Sequence, residues 1–229
     1  NLTGMKSMNG FDPVQQKQVR NNLAKLKPNE YLVSFTAGGL LAEETRSVIS
    51  YLNDAAILDL PTEIKHPQYL HTNAESARQR VVQELKKRYR ATGQLVFDVF
   101  KDAGLPQQNI LVFYTCMKTY QILFDFMFQT VLEKWLSRNL TLDKLDVQHF
   151  LDIQSASHPE IDEWAETTRE KIETVMVRML NEVGLLQGGQ LHSVDAPDHF
   201  WRSFVDFGDP WFLQAMLLNK EQRDRIQNG

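Results

Sequence analysis

The sequence predicts an all-α, multi-helical protein: two helix-turn-helix or winged-helix-like units packed on a central apolar helix, with one small β-hairpin as a wing. Three observations predict it. Apolar residues recur at helical spacing along most of the 229-residue chain. Residues 110–135 are aromatic-rich and apolar on nearly all sides, as a helix enclosed by other helices is. The stretch LLQGGQLHSV places two short apolar arms about a Gly-Gly pair, the pattern of a tight hairpin.

Taken in order, residues 1–30 are polar, with Pro13, Pro28 and five basic residues, and read as a lead-in containing a short helix. No secretory signal is expected there. Residues 31–104 form the expected N-terminal domain. In it Thr36 precedes a helix through Leu40, Leu41, Thr45, Val48, Ile49 and Leu52. An apolar segment at 55–60 follows, ended by Pro61, and then a loop with Pro67. The next helix spans 73–93, so the order is that of a helix-turn-helix unit whose last helix lies in the major groove. Residues 94–103 make another amphipathic helix, closed by Gly104 and Pro106.

Residues 105–229 form the expected C-terminal domain, beginning with the apolar helix of 110–135. LDKLDVQHFLDIQ and HPEIDEW lead to a helix from about residue 165 to 183, ended by Gly184. With the hairpin that follows, residues 144–195 read as a winged-helix-like unit. The last thirty-odd residues, with Trp201, Phe204, Trp211, Phe212 and Leu217, are expected to fold back on the core.

The helix at 73–93 carries the functional signal. Asn73 suits the N-cap, Glu75 the positive end of the dipole, and Gly93 a left-handed stop. Val81, Val82, Leu85 and Tyr89 share one arc, while Arg80, Gln83, Lys87 and Arg90 line the opposite one. Between Arg78 and Arg90 stand Arg78, Arg80, Lys86, Lys87, Arg88 and Arg90 against Glu84 alone. Solvated helix faces usually interleave acids and bases, so this imbalance predicts repulsion that a polyanion relieves. Arg78, Arg80, Gln83, Lys86, Lys87, Arg88 and Arg90 are therefore the candidate DNA-binding residues.

The net charge of −4 conceals a split. Residues 1–93 hold 13 Lys or Arg against 9 Asp or Glu, whereas residues 94–229 hold 12 against 20. A cationic function therefore belongs mainly to the first part. Cys116 is the one cysteine, so no intramolecular disulfide forms; it reads as a small buried hydrophobe in a reducing cytoplasm. Lys118, Gln121, Asp125, Glu133 and Lys134 interrupt the most apolar segment, which argues against a membrane span.

A weak internal repeat emerges at an offset of 91 residues. Glu75, Arg78, Arg80, Val81, Leu85, Lys87 and Gly93 fall on Glu166, Arg169, Lys171, Ile172, Met176, Arg178 and Gly184. Gln83 and Arg90 fall on Thr174 and Asn181, and Thr167 and Thr168 add hydroxyls near the second helix's start. Thr167, Thr168, Arg169, Lys171, Thr174, Arg178 and Asn181 thus form a candidate secondary surface for DNA or a protein partner. Glu160, Asp162, Glu163, Glu166, Glu170 and Glu173 surround it and predict the weaker DNA surface.

No phosphate-binding lysine loop, dinucleotide glycine fingerprint, HExxH pair or nucleophile elbow occurs, so no enzymatic activity and no cofactor are expected. His192, Asp195, Asp198 and His199 read as turn formers and caps rather than metal ligands, and His149 and His158 as surface or capping residues.

Four segments carry a family resemblance: SFTAGGLL, NAESARQRVVQELKKR, LVFYTCMKTYQILFDF and WAETTREKIETVMVRMLNEVGLL. Together, from about Tyr31 to Leu191, the chain resembles the BrxA family, small helical proteins of bacterial BREX phage-exclusion systems. The resemblance implies a NusB-like all-helical fold of helix-turn-helix or winged-helix character, double-stranded DNA binding, and a non-catalytic place in an antiphage defence system. The expected partners are double-stranded DNA and other BREX subunits, with no membrane and no small-molecule substrate. Two alternatives compete: a protein-interaction subunit docking its basic helix on an acidic partner, and RNA binding of antitermination-factor type.

Overall fold

Helices and one two-stranded hairpin make up the regular structure of the residues that the computed structural model describes, 30–49, 70 and 73–229. Tyr31–Gly229 form one compact unit. The halves expected to meet at residue 104 therefore pack against each other. The short helix expected within 1–30, Leu52, the 55–60 segment and the Pro67 loop lie outside the described residues, and the middle of the expected helix-turn-helix unit lies there with them.

The helix expected after Thr36 is two pieces. A 3-10 turn at Ser34–Ala37 is followed by Gly38 and Gly39, and α1 (Ala42–Val48) starts only after Leu41. Gly39 and Leu41 have positive φ values of 69° and 58°, which break the helical path between them. Next come α2 (Glu75–Thr92), α3 (Gln94–Asp102) and α4 (Leu105–Thr119), with Pro106 at the start of α4, where its missing N–H costs nothing. Gly93 ends α2 at φ 81°, as its position predicts. Asn73 does not cap α2 with its side chain; Ala74 is the N-cap residue, and the Asn73 carbonyl accepts from Arg78.

The single central helix expected at 110–135 is also two. It breaks at Tyr120, which is extended, and resumes as α5 (Gln121–Phe126), a π-helical segment (Met127–Val131) and α6 (Leu132–Leu136). The reason the sequence hides the break is that both halves are apolar, so periodicity runs through it. Ile110, Phe113, Cys116, Tyr120, Ile122, Phe126 and Val131 are all buried, and this broken spine is the centre of the core.

Asp143 and Asp146 form a reciprocal capping box at the start of α7 (Lys144–Gln154), satisfying donors the helix leaves free. A short α8 (Glu160–Glu163) leads to α9 (Glu166–Glu182), ended just before Gly184 at φ 82°. The hairpin follows: β1 (Leu186–Gln187) pairs antiparallel with β2 (Gln190–Leu191) across Gly188 and Gly189, both at positive φ. Leu186 and Leu191 face the core and Gln187 and Gln190 face out.

The chain closes with α10 (Asp198–Asp206), α11 (Trp211–Ala215) and α12 (Lys220–Asn228), which return aromatic side chains to the spine. Tyr114 stands among the rings of Phe204, Phe207, Trp211 and Phe212. Its hydroxyl donates to Asp209, which also accepts from Lys118 and Trp211. No helix among the described residues is long and apolar enough to cross a membrane.

Candidate nucleic-acid interface

The two helices related by the 91-residue offset begin at equivalent positions, Glu75 and Glu166, each after an alanine N-cap. They face each other across a cleft of about 910 Å³. From α2 the cleft receives Arg80, Gln83 and Lys87; from α9 it receives Lys171, Thr174 and Arg178. Both sets follow i, i+3, i+7 spacing, so each is one continuous stripe. The 3-10 turn and the loop after it complete the cleft through Ser34, Thr36, Ala37, Gly38 and Leu41.

A buried network stiffens the α2 wall. Arg88 is 1% exposed; its Nε donates to Glu84 Oε1 over 2.9 Å, its Nη2 donates to the Gly39 carbonyl over 2.8 Å, and its Nη1 donates to the Leu40 carbonyl. Arg88 thus ties the loop to α2. The Tyr120 hydroxyl donates to Glu84, and the Ser34 hydroxyl lies 2.8 Å from that of Tyr120 and 3.2 Å from Glu84 Oε2. Burial and the Glu84 carboxylate push the Tyr120 phenol far above its ordinary value, so it stays a donor.

Lys87 sits at the edge of this network. Its Nζ donates to Ser34 Oγ over 3.2 Å and lies 4.6 Å from the centre of the Tyr120 ring. Burial lowers its pKa below the usual lysine value, with Glu84 opposing and Arg88 reinforcing the shift. An anion seated beside it offsets that cost. On the facing wall Arg178 pairs with Glu182 at 3.4 Å, half-exposed, and its guanidinium lies against Gly39. A Cβ at Gly39 would stand 2.6 Å from Arg178 Nη2, so the glycine makes room for that cation. Arg80 and Lys171 are exposed, and neither forms an ion pair among the described residues.

The structure therefore sorts the sequence candidates. It brings Arg80, Gln83, Lys87, Lys171, Thr174 and Arg178 together. It removes Arg88 and Arg78, which are 1% and 5% exposed; Arg78 donates to the Asn73 carbonyl. The expectation that all six cations of α2 face an anion is corrected for these two. Both lie at helical spacing from Leu85, on the arc whose Val82, Leu85 and Tyr89 are buried. Lys86, Arg90, Thr167, Thr168, Arg169 and Asn181 stand outside the cleft lining. Arg169 lies 3.5 Å from Asp152.

Of the acids near the second stripe, Glu160 accepts from the Tyr31 backbone and lies 3.2 Å from His158. None of the six lines the cleft, whose acids are Glu44 and Glu84. Outside this region, Asp198 is held by Arg225 at 2.6 and 2.9 Å. Sequence reading missed the Ser34 loop and Tyr120 as parts of the site. The Gly38-Gly39 pair, which interrupts an otherwise helical pattern, is the unused signal by which that loop could be found.

A family model described as BrxA matches residues 29–196, a span that contains the loop and both walls of the cleft. The BREX protein BrxA of Bacillus cereus (strain H3081.97) is 23% identical over 115 residues, covering 50% of this chain. The chain spans 58% of that relative's length.

Proposed function

The chain belongs to the BrxA family, and from that membership and the cleft we propose that it is a non-catalytic, double-stranded DNA-binding member of a BREX antiphage defence system, acting in the cytoplasm with other BREX subunits. The observation that carries the proposal is the convergence of two basic stripes, Arg80 and Lys87 from α2 with Lys171 and Arg178 from α9, on one cleft. Four cations against the two lining acids Glu44 and Glu84 leave the lining with an excess of positive charge, and a run of phosphates neutralises that excess while releasing the counterions the DNA had condensed. Such binding is largely independent of sequence. Gln83 and Thr174 supply neutral donors and acceptors beside the cations, too few for base readout of any length.

Fluorescence anisotropy on a labelled random duplex at about 50 and 200 mM salt tests the proposal, with the wild type beside an Arg80→Glu, Lys171→Glu variant. Both side chains are exposed, so the variant keeps its fold. Salt-sensitive binding that the variant loses supports DNA as the ligand. A wild type that ignores duplex at low salt contradicts it and transfers the cleft to an acidic protein partner; preference for structured RNA transfers it to RNA.

A further inference from the structure

The way the cations are presented decides how DNA sits. A helix that reads the major groove must project its contact face outward into a space about 12 Å wide. The basic face of α2 instead lines a concavity and is opposed by α9. That geometry sets the contact face of α2 opposite a second wall, unlike that of a lone recognition helix, and a cleft of about 910 Å³ is of the size that takes a slim ligand.

Each stripe runs over seven residue steps of helix, about 10.5 Å along the axis at about 1.5 Å per residue. Successive phosphates of one strand stand farther apart along the strand than the about 3.4 Å they rise along a duplex axis, so a stripe matches about two or three successive phosphates. The cleft lining contains no aromatic ring among the described residues. Among the described residues unpaired bases therefore find no stacking platform inside, and the grip of these residues falls on the backbone.

Resting on the DNA-binding reading above, we infer that the cleft is a clasp for one sugar–phosphate strand of DNA. Arg80 and Lys87 on one side and Lys171 and Arg178 on the other neutralise the same short run of phosphates, and the bases of that strand point away from the cleft, paired or unpaired. The clasp holds one strand of a duplex or an isolated strand by the same contacts. Modification of bases in the major groove leaves its grip unchanged, because no donor from the cleft reaches there.

Anisotropy titrations of the full chain with a labelled 20-nucleotide single strand and with the matching duplex, each over a salt series, test this. The clasp predicts affinities within about fivefold of each other, and log–log salt slopes near −2.1 for the single strand and −2.7 for the duplex, from about three neutralised phosphates. A Lys171→Gln, Arg178→Gln variant, which empties one wall, lowers both slopes by about half. A preference of a hundredfold or more for either form overturns the inference, as do slopes that the variant leaves unchanged. Failure of both forms to bind overturns the DNA-binding reading and the clasp together; binding to duplex alone overturns only the clasp.

Discussion

Arg88 and Glu84 stand one turn apart on α2 and form an ion pair, Nε to Oε1 at 2.9 Å, with the arginine 1% and the glutamate 9% exposed. The pair sits behind the cleft wall. Through Arg88 it also holds the Gly39 and Leu40 carbonyls, so the loop and α2 are fixed relative to each other before any ligand arrives. Arg88→Ala leaves a buried carboxylate and two carbonyls without their donor, and is expected to cost about 3–5 kcal/mol. Urea unfolding measures it. The Arg88→Met, Glu84→Leu double variant is expected to lose less than the two single changes together, whereas Arg80→Ala stays within about 0.5 kcal/mol of wild type.

Gly39 is the second lever on the loop. Its φ of 69° is one that L-residues resist, and a Cβ there meets the tip of the Arg178 side chain. Gly39→Ala is expected to destabilise by about 1–2 kcal/mol from the backbone alone. Arg178 can swing away, so the clash costs little stability but moves a cation out of the cleft. A several-fold weaker affinity for DNA, read by anisotropy at a temperature where the variant is folded, checks the second part.

Asp209 provides the converse case, a buried charge outside the cleft lining. It accepts from Tyr114 at 2.5 Å, Lys118 at 2.7 Å and Trp211 at 2.8 Å. Asp209→Ala is expected to cost about 3–5 kcal/mol in urea unfolding by stranding a partly buried lysine, a hydroxyl and an indole donor. DNA affinity of the folded variant is expected to match the wild type.

Cys116 reports on the core through its chemistry. Burial pushes its thiol from the ordinary 9.0 up to about 11, with Arg88 pulling the other way. At pH 8 the native thiol is expected to resist a disulfide reagent and to react at once in urea. The sign for stability follows from the raised pKa. The folded state holds the proton more tightly, so this contribution is complete below pH 9 and is lost as pH rises towards 11. Unfolding at pH 8 and pH 10, with Cys116→Ala as the reference, checks the direction.

Much of the site was legible in the sequence. The stripe Arg80, Gln83, Lys87 and its counterpart Lys171, Thr174, Arg178 followed from helical spacing and from the offset between two helices, because both are local patterns. That the stripes face each other was not legible, since it depends on how α2 packs on α4 and α9 on α7, which periodicity does not encode. Arg78 and Arg88 were misplaced by counting charge along the chain instead of by arc. Their spacing from Leu85 puts them on the buried side, and Glu84 four residues before Arg88 is the partner that lets a guanidinium go there. The break at Tyr120 was hidden for a different reason. Neither proline nor glycine marks it; the extended backbone of Tyr120 brings its hydroxyl to Glu84, a long-range contact.

Lysine acetylation with and without saturating duplex, read residue by residue by mass spectrometry, tests the central claim most directly. The cleft predicts that DNA slows modification of Lys171 on one wall and Lys87 on the other, while Lys101 and Lys220, which lie outside the cleft lining, keep their rates. Lys171 and Lys87 reacting at the same rate with and without bound DNA would contradict it.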